Sequence, residues 1–78
     1  MTPAQCRMAR AALEIGVKEL AEKASVSTNT IVRLERGEAL KDRTIAAIRA
    51  ALESAGVELI AENGGGAGVR LRKAGVAQ

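Results

Sequence analysis

The apolar positions of this chain follow two rhythms, and the change falls at Gly56. Before it they recur every three or four residues, as on one face of a helix; after it they alternate, as along a half-buried strand. Cys6, Ala9 and Leu13 form the first helical stripe. The "TPAQ" ahead of them is a composite start signal. Thr2 can cap, Pro3 suits the first helical position, and Gln5 stands where a capping box takes Glu or Gln. Ile15 and Gly16 break the run and lead to a second helix, "VKELAEKA", with Leu20, Ala21 and Ala24 on its inner side. "SVS" is a tight turn. Ser27 is placed to cap a third helix over 27–36 by accepting from the Thr30 N–H, and Gly37 to end it from the left-handed region. The fourth helix, "LKDRTIAAIRAALESAG", holds Ile45, Ile48, Leu52 and Ala55 in one stripe and stops at Gly56.

Beyond Gly56, "VELIA" and "VRLRK" alternate on either side of "ENGGGAG", the pattern of a β-hairpin with a long loop. Val57, Leu59, Val69 and Leu71 share one face, Glu58, Arg70 and Arg72 the other. Ile60 falls on the charged face with no evident partner inside the chain. A two-stranded hairpin is marginal by itself. Leu52, Val57, Leu59, Ile60, Val69 and Leu71 are therefore expected to form a dimer interface, or a place for a protein partner. The expected fold is mainly α, with a helical domain over 1–56, a hairpin over 57–73 and a flexible tail over 74–78.

The third helix raises the functional question. At 100° per residue Ile31, Leu34 and Glu35 fall inward, while Asn29, Val32, Arg33 and Arg36 fall outward, with Thr28 at the exposed first turn. An ordinary helix pair explains the inward residues but not that outward row. The row suits the major groove of DNA: Asn pairs bidentately with adenine, Arg with guanine, and Thr and Val methyls meet the thymine methyl. Ser27 and Thr30, at the helix N-terminus, suit a phosphate.

Composition narrows the field. Of 78 residues none is His, Trp, Tyr or Phe, and one is Cys. The usual metal-binding and nucleophilic side chains are scarce, so neither an enzyme nor a cofactor or metal site is expected. Without aromatics, the stacking used by most single-strand readers is absent. The net charge of +3 and pI near 9.6 favour a polyanionic partner. Cys6 lies on an apolar stripe and reads as a small buried hydrophobe. With one cysteine, short apolar runs and no signal segment, a cytoplasmic protein away from membranes is expected. The glycine run is no phosphate loop, since no Gly-Lys-Ser/Thr follows and the next segment is a strand. The alternating charges of "RLRK" suit an exposed strand face.

"LAEKASVSTNTIVRLERG" resembles the DNA-binding motif of the Cro/CI (XRE) family of helix-turn-helix regulators, and the likeness runs from Met1 to about Val57. Leu20-Ala21, Val26-Ser27, Ile31, Leu34 and Glu35-Arg36-Gly37 match that family's core and turn positions. The resemblance implies a four-helix Cro/CI-like domain whose third helix lies in the major groove of a palindromic operator. It implies base reading by Thr28, Asn29, Val32 and Arg33, and phosphate contacts from Lys18, Ser27, Thr30, Arg36, Lys41 and Arg43. It also implies a structural salt bridge between Arg10 and Glu35. Three departures stand out. Ser25 occupies a turn position usually held by Gly, Gly16-Val17 replaces a polar pair ending in Gln, and the hairpin lies outside the common five-helix form. The expected protein is thus a transcriptional regulator, a repressor acting as a homodimer, with no room for a small-molecule effector domain. Its alternatives are a DNA-binding antitoxin of a toxin–antitoxin pair, and an interaction adaptor on the same scaffold that does not bind DNA.

Overall fold

The computed structural model describes residues 1–62 and 64–72; Lys73 and the expected tail over 74–78 lie outside the described residues. Four helices are followed by two strands: α1 (Pro3–Leu13), α2 (Val17–Ala24), α3 (Thr28–Glu35), α4 (Asp42–Ser54), β1 (Val57–Ile60) and β2 (Gly68–Leu71). No described helix is long and apolar enough to cross a membrane.

Each interhelical turn closes with the same device. After α1, α2 and α3 the chain enters the left-handed region at Glu14 (φ 58°), Ser25 (φ 58°) and Gly37 (φ 87°). The residue after each donates its N–H back into the helix: Ile15 to the Arg10 carbonyl, Val26 to Ala21 and Glu38 to Arg33, all at 3.0 Å. These bonds satisfy carbonyls that a helix end otherwise leaves open. The first break thus falls at Glu14, one position before the Ile15–Gly16 pair that the sequence suggests. Gly16 itself is extended and begins α2. Ser25 takes the left-handed turn without glycine's freedom.

One core serves every element. It is built from Cys6 and Ala9 of α1, Leu20, Ala21 and Ala24 of α2, Ile31 and Leu34 of α3, Ile48, Ala51 and Leu52 of α4, and Val57 and Leu59 of β1. The alanines let α2 and α4 approach closely, and α1 packs against α3 and both strands.

The hairpin is antiparallel, with Val57 opposite Leu71, Glu58 opposite Arg70, Leu59 opposite Val69 and Ile60 opposite Gly68. That register puts Val57, Leu59, Val69 and Leu71 on one face, as the alternation predicts. Their destination differs from the expected one. Leu52 and Val57 are fully buried and Leu59 is 8% exposed, all within this single chain. They are not free to form a dimer interface. The cause is economy of apolar surface: a chain this small buries only about 60% of what its unfolded form exposes. The face fills the gap beside α1 and α4 instead. Val69 packs on the same core, Ile60 is half-buried, and Leu71 stays open at 53% exposure. The inner face of the hairpin is part of the helices' core.

Gln5 makes the join. It is the one buried polar residue described. Its side-chain oxygen accepts from the Thr2 N–H at 2.8 Å while Thr2 Oγ1 accepts from the Gln5 N–H at 3.0 Å, completing the capping box. Its Nε2 donates to the carbonyls of Ile60 at 2.8 Å and Gly68 at 3.0 Å, the register pair nearest the loop. One amide thereby uses both donors and its acceptor, so nothing polar is stranded inside.

Candidate nucleic-acid interface

The third helix is held from behind by an arginine–glutamate cluster. Arg10 Nε and Nη2 donate to the two Glu35 carboxylate oxygens at 2.7 and 2.8 Å, a planar two-point contact. Arg7 donates to the Glu35 carbonyl, so two arginines of α1 grip the last turn of α3. Burial pushes the Glu35 carboxyl up. The hydrogen bonds from Arg10 and Cys6, with the charges of Arg10 and Arg7, outweigh that and leave it below the ordinary carboxylate value. The hydrogen bond to Glu35 raises Arg10 in turn. Cys6 beside them is fully buried, and burial, its hydrogen bond to Glu35 and the carboxylate's charge push its thiol up to about 12. A thiol so placed is a core residue and a poor nucleophile.

The opposite face of α3 is open. Ser27 caps it, its hydroxyl accepting from the Thr30 N–H at 3.1 Å, and the Ser27 and Thr30 hydroxyls share a hydrogen bond of 2.8 Å. Thr28 and Asn29, next along the first turn, are exposed. Val32 is 38% exposed on the same side. The Arg33 side chain is 41% exposed and that of Arg36 62%. The four residues assigned to base reading thus share one accessible helical face, with Ile31 and Leu34 buried behind it.

The residues assigned to phosphates divide into separate places. Thr30 and Lys41 line one hollow of about 310 Å³ with Arg33 of the base-reading set and with Ala39, Leu40 and Thr44. Lys41 is the residue before the first turn of α4 and Arg43 lies within that turn, both exposed. Lys18 sits apart, in an open groove along α2 shared with Gly16, Glu19, Glu22 and Lys23. Two carboxylates beside it make that groove less hospitable to a phosphate. Ser27 and Thr30 already serve the helix cap, so any contact they make with a ligand adds to a local role.

Three residues of this region escaped the sequence reading. Arg7 follows a legible rule, since it lies three positions before Arg10 on the same helical side. Thr44 lines the hollow from the first turn of α4, a placement that no short-range pattern in the chain gives. Glu38 is the third: its Oε1 accepts from Arg33 Nε at 3.0 Å and its Oε2 from Arg36 Nη2 at 2.8 Å. Those hydrogen bonds, Arg33's first, hold the Glu38 carboxyl below its ordinary value.

A scan against protein-family models gives no match, and a search of curated proteins finds none significantly similar.

Proposed function

We propose that this chain is a sequence-specific double-stranded DNA-binding regulator of the Cro/CI type, acting as a repressor by placing α3 in the major groove. The observation that carries this reading is the sidedness of α3. Thr28, Asn29, Val32 and Arg33 are accessible on one face while the other face is locked to α1 through Glu35. A helix that presents a hydrogen-bonding face from a rigid support meets a base edge with little reorganisation. Asn29 is suited to adenine, Arg33 to guanine, and Val32 to the thymine methyl. Lys41, Arg43 and Arg36 flank that face as phosphate-binding cations.

Binding as a homodimer to a palindrome belongs to the same proposal, with half-sites about 10 bp apart, one helical turn. Leu71, exposed at the hairpin, remains available to a second copy, whereas Leu52, Val57 and Leu59 do not. Occlusion of a promoter is the mechanism in keeping with a small domain of this kind.

The test is selection from a random duplex library at two salt concentrations, followed by sequencing of what is retained. An enriched inverted repeat, blurred at one position by Asn29→Ala, supports the proposal. Retention that is weak, indifferent to sequence and lost at moderate salt overturns it, since phosphate attraction alone behaves that way.

A further inference from the structure

Glu38 stands where a DNA-facing helix would be expected to carry no negative charge. Among the described residues it is the one carboxylate that pairs with the outer arginines of α3. The main chain puts it there. Gly37 turns the backbone at φ 87°, and the Glu38 N–H returns to the Arg33 carbonyl at 3.0 Å. The carboxylate is thus folded back over the last turn of α3, against Arg33 on one side and Arg36 on the other.

The atoms it takes matter. An arginine carries five N–H donors in a planar fork. Glu38 engages Arg33 through Nε and Arg36 through Nη2. The two Nη groups of Arg33 are left at the tip of a side chain that is 41% exposed. That tip is the edge that meets O6 and N7 of guanine end-on. An arginine tethered at Nε has fewer rotamers to give up on meeting a base. It has also lost part of its attraction to phosphates, because a carboxylate shares its field.

We propose that Glu38 is a positioning and specificity-determining residue. It holds Arg33 by Nε so that the two Nη groups form a pre-aimed fork for one guanine in each half-site, and it weakens binding to DNA of any other sequence by offsetting the charge of Arg33 and Arg36. This inference rests on the DNA-binding reading above. Its two effects run in opposite directions. Removing the carboxylate strengthens indiscriminate binding and erodes choice.

The experiment compares full-length wild type with Glu38→Ala, Arg33→Ala and the double variant. The probes are the selected duplex, the same duplex with each half-site guanine replaced in turn, and an unrelated duplex, across a salt series. Arg33→Ala should abolish preference for one guanine. Glu38→Ala should reduce that same preference about three- to tenfold and tighten binding to the unrelated duplex by a similar factor at low salt, as for release of an exposed ion pair. Its salt slope should steepen by about one, the amount that one further phosphate contact contributes. In the Arg33→Ala background, Glu38→Ala should leave the guanine preference unchanged. Far-UV circular dichroism checks that every variant is folded. An unaltered guanine preference in folded Glu38→Ala overturns the positioning role even where the salt slope changes. If wild type selects no duplex at all, the DNA-binding reading falls and this inference falls with it. That outcome is distinct from a wild type that selects DNA while Glu38→Ala behaves identically.

Discussion

The outer face of α3 and the inner face of the hairpin are built from side chains of similar bulk, yet one is left open and the other is sealed. Thr28, Asn29 and Val32 stand accessible, whereas Val57 and Leu59 are taken into the core. The hairpin face is apolar, so burying it against α1 and α4 removes hydrocarbon from water and leaves no polar atom unpaired. Burying Asn29 or Arg33 would require a partner for every N–H and oxygen. A small domain therefore gathers whatever apolar surface the chain offers, and what stays outside is the surface whose chemistry needs something from beyond the chain.

The difference is sharpest in stability. Leu59→Ala and Leu52→Ala should each cost about 2–5 kcal/mol, the range for emptying a packed core position. Urea unfolding followed by far-UV circular dichroism reads this, since the chain has no Trp or Tyr to report. The loss should be the same at every protein concentration. A loss that grows as concentration rises would return these residues to an interface between copies. Gln5→Ala should follow at about 1–3 kcal/mol, because it strands the Ile60 and Gly68 carbonyls as well as the α1 cap.

Glu35→Gln comes next, at about 1–2 kcal/mol near neutral pH, discounted from a fully buried pair for its partial exposure. Its pH dependence has a definite sign. The folded Glu35 carboxyl lies below its ordinary 4.5. Its contribution is complete above that value and is lost as pH falls through the folded one. The stability gap between wild type and Glu35→Gln should accordingly narrow below about pH 4.5. A gap of constant size down to strong acid would mean that the ion pair does not stabilise α3.

The smallest effect on stability belongs to the open face. Asn29→Ala and Val32→Ala should stay within about 0.5 kcal/mol of wild type. On the selected duplex, Asn29→Ala should lose about 1–3 kcal/mol of discrimination at one position. A large stability loss from either substitution would mean that this face is structural after all, and the contrast with the hairpin would collapse.

How far these features could be read in advance depends on the range of the interactions behind them. The caps at Thr2 and Ser27, the inner residues of α2 and α3, and the shared faces of the hairpin strands all follow from local spacing. The outer row of α3 is legible for the same reason, by helical periodicity alone. The resting place of Val57 and Leu59 is not, because alternation says which residues share a face but not what covers it. Alternation likewise does not show that Ile60 is half-buried, nor that its main-chain carbonyl meets Gln5, 55 positions away. The turn at Gly37 is legible, but not that it carries the Glu38 carboxylate back to Arg33 and Arg36. The left-handed turn at Ser25 was anticipated only from the position that a glycine usually holds there.

The two hydrogen bonds that Gln5 donates to the Ile60 and Gly68 carbonyls also set a timetable. Gln5 waits for carbonyls 55 and 63 positions further along the chain. At a synthesis rate of roughly 5–20 residues per second, that interval is about 3–13 s. Until Gly68 has cleared the ribosome, α1 lacks its tether to the hairpin. Contacts of this span also make closure a slow step, because the entropy of closing a long loop is spent before they form. The helices can form as the chain emerges, but the domain becomes a single cooperative unit only when its last strand returns to its first helix.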